Sequence, residues 1–187
     1  MNKTKTCKIC KNKYVARNTL QRVCSVECGI ADAQKKREQK EAQAKAVQRK
    51  IDKERLEQLK SISQVANDVQ RVFNEYIRLR DNGLPCIACG KAWGYTQHAS
   101  HYVPSGRNSA LRFNEDNVHG GCSECNTHKS GNLIQYRIGL VEKIGEERVK
   151  ALEYNHETKK WTREELDEIK ETYRQKIKLL KSVKSVV

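Results

Sequence analysis

Apolar positions are spaced unevenly along this chain, and the changes in spacing divide it into elements. Residues 30–60, IADAQKKREQKEAQAKAVQRKIDKERLEQLK, are almost wholly Ala, Gln, Glu, Lys and Arg. These are strong helix formers, and no Gly or Pro interrupts the run before Gly83, so the pattern predicts a long charged helix over 29–82. Apart from Ile30, the first half of the 29–60 run offers only Ala to any apolar stripe. That half reads as a solvated rod held by i,i+4 charge pairs, a spacer or phosphate-facing surface, with low-complexity disorder as the rival. Farther on, Ile62, Val65, Val69, Val72, Tyr76 and Leu79 recur every three or four residues, and Ala66, Phe73 and Ile77 widen the stripe. This face must pack, either on the segment that follows or on a second chain as a coiled coil. Arg71, Arg78 and Arg80 read as the outward side, and Asp81-Asn82-Gly83, with Gly83 at C′ and Pro85 beyond, ends the helix.

Helical spacing returns after residue 132. Leu133, Tyr136, Leu140, Val141 and Ile144 form one stripe closed by Gly145, and a short helix and a turn follow. Thr162 and Glu165 make a capping box that opens a last helix, whose Leu166, Ile169, Tyr173, Ile177 and Leu180 read as core or as a dimer surface. Between the helical regions the pattern is shorter and more polar. It predicts a strand through Gln97–Val103, a loop at Ser105-Gly106-Arg107-Asn108, a second short strand around Leu111–Phe113, and then a helix after Cys125.

Charge and cysteines sharpen this outline. Among 187 residues, 37 Lys and Arg against 23 Asp and Glu give a formal net charge of +14. That excess implies a polyanionic partner, most simply nucleic acid, with binding that weakens steeply in salt. The mean hydropathy of −0.85 argues against one large core. All eight cysteines fall into short pairs: Cys7/Cys10, Cys24/Cys28, Cys86/Cys89 and Cys122/Cys125. Paired spacing of this kind suits two structural zinc sites, each closed by four thiolates. A disulfide scaffold is the alternative, but the Lys-rich start has no apolar region of a secretory signal behind it. No run is apolar enough for a bilayer span, so the expectation is a protein of a reducing compartment without a membrane partner.

The first two pairs bound a small zinc-ribbon or treble-clef-like finger over 1–28, too short to fold without metal. Lys8, Lys11, Lys13, Arg17 and Arg22 favour nucleic acid as its partner, with protein left open. The second two pairs clamp a ββα unit that carries the densest chemistry in the chain. His101 stands at the end of its first strand and Asn117 on the return to the zinc. A neutral imidazole can take a proton from water attacking a phosphodiester while a divalent cation stabilises the phosphate and the departing oxygen. Asn117 would hold that imidazole in its working tautomer, and Asn126 and His128, directly after Cys125, would offer ligands to the second cation. Arg107, Arg112 and Lys129 read as phosphate contacts. Trp93 and Tyr95 would either stack on an unpaired base or cover the zinc core. His119 reads as an outer partner of the zinc site and His156 as exposed.

The run CxxCG, a His at the strand end, an Asn in DNVHGGC, and CxxCN followed by Lys129 resembles the HNH (ββα-metal) endonucleases. More narrowly, residues 60–150 look like the phage NinG (Rap) recombination proteins, and the CKIC finger and basic helix fit the same family. The resemblance implies a structure-directed DNA endonuclease, encoded by a phage or prophage, that cuts branched recombination intermediates, such as Holliday junctions and D-loops, in the cytoplasm of a bacterial host. It makes His101 the general base and Asn117 the central Asn of the motif. Asn126 stands where the motif's last His is often Asn. Many HNH enzymes carry Asp or His before the catalytic His as a metal ligand, and this chain has Ser100 there. His98, two residues back on the same strand face, would supply the missing ligand, and His128 would do so from the helix side.

The whole reads as a mainly helical protein with one small zinc-stapled ββα module over 83–145. The finger at 1–28 and the helix at 29–82 precede it, and a C-terminal helical region at 146–187 follows. It would use two structural Zn2+ ions and a catalytic Mg2+ or Mn2+. Branched double-stranded DNA and a phage recombinase are the expected partners, with a homodimer through the long or the last helix supplying two active sites to a four-way junction. The alternative is a non-catalytic two-zinc accessory protein that binds nucleic acid.

Overall fold

The computed structural model describes residues 4–92, Gly94 and residues 97–184, the side chain of Lys184 excepted. The chain forms two compact units, residues 1–59 and 60–187. In the first, β1 (Thr4–Thr6) and β2 (Lys13–Val15) pair antiparallel with Lys5 opposite Tyr14. The connection carries the first cysteine pair and turns at Lys11, whose φ of 63° is left-handed. Cys24 lies just before α1 (Val26–Gln58) and Cys28 in its first turn, where the Ser25 hydroxyl caps the Cys28 amide. No residue of α1 is buried, and even Val26 and Ile30 in its first two turns stand exposed. Asp32 pairs with Lys36 at 2.6 Å along the helix and with Lys8 of the finger at 3.1 Å.

The helix expected over 29–82 is two helices. α2 (Ile62–Arg80) starts afresh at Ser61, whose extended backbone and side chain form a capping box with Gln64: Gln64 N–H donates to Ser61 Oγ, and Ser61 N–H to Gln64 Oε1 at 2.8 Å. A Ser that can satisfy the amides of a new first turn outcompetes continuation of the old helix. α2 ends at Arg80 with Asp81 as cap, and Gly83 takes a left-handed φ of 87° two residues beyond that cap.

The second unit continues with β3 (Gln97–His101) and β4 (Val118–Cys122), antiparallel, with His98 opposite Gly121 and His101 opposite Val118. A single π-helical turn (Glu124–His128) follows, then α3 (Leu133–Ile144), α4 (Glu146–Glu153) and α5 (Arg163–Lys184). The strand expected at Leu111–Phe113 is a chain of turns, and the second strand lies at 118–122. Leu111 and Phe113 are nevertheless buried, so their alternation reports burial and no ladder.

Two apolar clusters hold this unit. In one, Val65, Val69, Phe73 and Ile77 of α2 meet Leu166, Tyr173 and Ile177 of α5, with Phe73 edge-on to Phe113 and Tyr173. The stripe of the last helix is therefore core within its own unit. In the other, Cys86, Cys122 and Cys125 pack with Tyr136 and Leu140 of α3 and Val149 and Leu152 of α4. The capping box at Thr162 and Glu165 forms as predicted. No helix among the described residues is long and apolar enough to cross a membrane.

Candidate functional site

The four cysteines of each unit converge. Within each tetrad, Cys7/Cys10/Cys24/Cys28 and Cys86/Cys89/Cys122/Cys125, all sulfurs lie within 4.8 Å of one another, and none forms a disulfide. A tetrahedral ion with Zn–S bonds of about 2.3 Å requires sulfur pairs about 3.8 Å apart. Cys10 and Cys24 stand 3.4 Å apart, Cys24 and Cys28 3.7 Å, and Cys89 and Cys122 3.8 Å. Backbone amides point at the sulfurs, Cys24 N–H at Cys7 and Cys122 N–H at Cys86. Against the burial that would raise it, these and neighbouring amides bring Cys86 down to about 7. Burial and the thiols of Cys89 and Cys122 push Cys125 up to about 12. Four thiolates cannot share this space without a cation, so the tetrads could hold two zinc ions.

On the β3–β4 hairpin the half-buried ring of His101 sets its Nε2 3.0 Å from the carbonyl oxygen of Arg112. A carbonyl only accepts, so Nε2 carries the proton and Nδ1 keeps its lone pair. Burial lowers the pKa of this imidazole below its ordinary value, and the ring is neutral near pH 7. The partner is not Asn117, as the sequence suggested. Asn117 is fully buried, accepts Val103 N–H at 2.8 Å, and donates to the Val103 and Leu111 carbonyls at 2.9 and 3.1 Å. It braces the loop whose next residue, Arg112, holds His101, and so acts on the histidine only through the backbone.

The opposite side of β3 carries the second group. Ser100 Oγ donates to Asn126 Oδ1 at 2.7 Å, and Asn126 Nδ2 donates to His98 Nδ1 at 3.1 Å. Gly121 makes room for them, since a Cβ there would stand 3.1 Å from that of Ser100. The hydroxyl of Tyr136 ties α3 to this strand through the Ser100 carbonyl at 2.8 Å. His98 and Asn126 thus come together, whereas His128 sits exposed at the end of the π-helical turn and outside the hydrogen-bonded set.

The expected phosphate contacts differ in freedom. Arg107 is exposed on the rim of a cleft of about 280 Å3 bounded by Tyr102, Pro104, Glu153 and exposed His156. Arg112 is half-buried and committed to α2, donating to Gln70 at 3.0 Å and Asn67 at 2.8 Å. Lys129 pairs with Glu124 at 2.9 Å on the surface. Arg80, read as outward, instead turns in: it grips Asp81 through two bonds of 2.8 Å, donates to the Val118 carbonyl and approaches His119 Nδ1 at 3.0 Å. His119 is thereby part of this buried network, which also ties Asp81 to Gly120 N–H at 2.8 Å, and it bonds no zinc cysteine. Sequence reading missed the network because its partners lie 38 or 39 residues away. Trp93 and Tyr95 fall outside the described residues.

The sequence model of the family described as Bacteriophage Lambda NinG protein matches residues 1–183. The chain is similar to Protein ninG of Escherichia phage lambda, 40% identical over 173 residues that cover 87% of this chain and 85% of that one. It is 39% identical to Protein ninG of Salmonella phage P22 over 173 residues, with the same coverage of 87% and 85%. To Protein ninG of Enterobacteria phage H19B it is 36% identical over 190 residues, 96% of this chain and 94% of that one. No solved structure matches the chain.

Proposed function

The chain belongs to the bacteriophage NinG family, and from that premise we propose that it is a metal-dependent DNA endonuclease of the HNH (ββα-metal) type that cuts branched recombination intermediates such as Holliday junctions and D-loops. The observation that carries the reading is the His101 imidazole, its Nε2–H engaged by the Arg112 carbonyl and its Nδ1 left as the base.

Ser100 and His101 are consecutive at the end of β3, so their side chains leave the strand toward opposite sides. A phosphodiester lying across the strand end would face both groups. His101 Nδ1 takes a proton from the attacking water as the water oxygen bonds to phosphorus and the P–O3′ bond breaks; the imidazolium then returns its proton to solvent. Asn117 and Arg112 keep the ring aimed. His98, Asn126 and Ser100 would hold the divalent ion, with the phosphate supplying the negative charge that these neutral donors lack. When bound, Mg2+ or Mn2+ would stabilise charge on the phosphate and the departing oxygen. Arg107 and Lys129 would contact the flanking backbone.

One observation favours a second reading. Within the Ser100–Asn126–His98 chain, His98 Nδ1 and one of the two lone pairs of Asn126 Oδ1 are already engaged, and among the described residues no carboxylate joins them. An accessory protein that binds branched DNA without cutting it fits that arrangement. The two readings separate on purified protein, four-way junction DNA, and Mg2+ or Mn2+. An endonuclease cuts the junction, and its His101→Ala variant binds with unchanged zinc content and does not cut. Cutting by that variant at the wild-type rate would eliminate His101 as the base. A wild-type protein that shifts the junction and leaves it whole would establish the accessory role.

A further inference from the structure

The finger of the first unit has no part in the site above, yet its charge and one side chain are set out for a ligand. Residues 1–25 contain seven Lys and Arg and no Asp or Glu. Lys5 is used internally, donating to the Thr19 carbonyl at 2.5 Å, and Lys8 pairs with Asp32. Lys11, Lys13, Arg17 and Arg22 remain exposed, with no ion pair among the described residues.

Between the two arginines stands a loop braced at every step. Asn18 Oδ1 accepts the amides of Leu20 and Gln21 at 3.0 and 2.9 Å. Gln21 Oε1 accepts Arg17 N–H at 2.8 Å, and its amide donates to the Val23 carbonyl at 3.0 Å. Tyr14 Oη donates to the Gln21 carbonyl at 2.8 Å. The residue this bracing presents is apolar: Leu20 is 85% exposed, more than any other large hydrophobic among the described residues.

A rigid loop that holds a bare leucine in water between two unpaired guanidinium groups is poorly explained by the stability of the finger. Apolar side chains of this size serve as wedges between base steps when flanking cations grip the backbone on either side. We infer that the N-terminal finger is a second DNA-binding element, in which Leu20 inserts at an unstacked base step while Arg17 and Arg22 hold the adjoining phosphates. A protein partner on the same patch is the less favoured occupant, because it would have to be strongly acidic to answer the charge. The inference takes its DNA partner from the reading above and does not depend on cutting.

The experiment uses the full chain loaded with zinc, without added divalent cation, and a four-way junction carrying 2-aminopurine at the crossover. Wild-type protein should bind and raise the fluorescence as the base unstacks. Leu20→Ser should abolish the rise and weaken binding about tenfold with the salt dependence unchanged. Arg17→Gln/Arg22→Gln should reduce the slope of log K against log salt by about 1.8. Two zinc ions per chain in each variant would certify an intact finger, and Leu20→Met should restore the fluorescence. If wild type binds and Leu20→Ser matches it in affinity and fluorescence, or the double variant keeps the full salt slope, the inference fails alone. A wild-type protein that binds no junction DNA defeats the reading above together with it.

Discussion

Asn117 and Val103 are joined by a reciprocal pair of hydrogen bonds, the asparagine accepting the valine amide at 2.8 Å and donating to its carbonyl at 2.9 Å. With the further bond to the Leu111 carbonyl, one buried amide secures both ends of the loop that returns β3 to β4. Asn117→Ala would strand three backbone groups, each costing roughly 1–3 kcal/mol when buried without a partner. Urea unfolding of the zinc-loaded variant should show a loss of about 3 kcal/mol or more, with Asn117→Asp no better because its carboxylate faces two carbonyls. Unchanged stability with lost cutting would instead make Asn117 a group that touches the substrate.

The Cys86–Cys89 turn, a knuckle of the second cysteine tetrad, is pressed against α3 at Gly139. A Cβ at that position would collide with the Ile87 carbonyl oxygen, and Ile87 itself donates to the Gly120 carbonyl of β4 at 3.0 Å. The knuckle is thus clamped between helix and strand, and Gly139→Ala must pry it from one of them. Overpacking of this kind costs about 1–3 kcal/mol. The urea midpoint should fall, and one of the two zinc ions should pass to a chelating dye faster than in wild type. Gly106→Ala, which meets nothing within 4 Å, should stay within about 0.5 kcal/mol of wild type. Equal zinc release from Gly139→Ala and wild type would refute the clamp.

What the sequence disclosed and what it hid divide along a physical line. Local chemistry was legible: cysteine spacing brought four sulfurs together twice, and Thr162 with Glu165 capped the last helix as read. So was the stripe of α2, whose burial needs only periodicity. The second strand was misplaced because His119-Gly120-Gly121 has little β propensity. It is a strand for tertiary reasons: Gly120 offers its amide to Asp81, and Gly121 lets Ser100 approach. The break at Ser61 was hidden among strong helix formers, though its capping partner Gln64 was in view. Of the expected site, the shared strand face of His98 and Ser100 was legible from alternation. The support of His101 was not, because a backbone carbonyl leaves no mark on residue identity.

His119 should make the stability of the second unit sensitive to acid. Its Nε2–H donates to the Asp116 carbonyl and its Nδ1 receives Arg80, so a second proton would have to displace a guanidinium. Burial first, then the charges of Lys143 and Arg80, hold its pKa below the ordinary 6.5 against the pull of Asp81. With the folded value below the unfolded one, the unfolded chain takes the proton more readily. The neutral ring therefore contributes stability that is complete above pH 6.5 and lost as pH falls through the folded value, at no more than about 1.4 kcal/mol per pH unit for one proton. His119→Gln removes the titration while zinc loss and the remaining groups act alike in both proteins. Urea midpoints of the zinc-loaded chains between pH 7.5 and 5.5 should converge as wild type falls more steeply than the variant. Parallel curves would show that the proton goes on as easily in the folded protein as in the unfolded chain, the pull of Asp81 cancelling burial and the charges of Lys143 and Arg80.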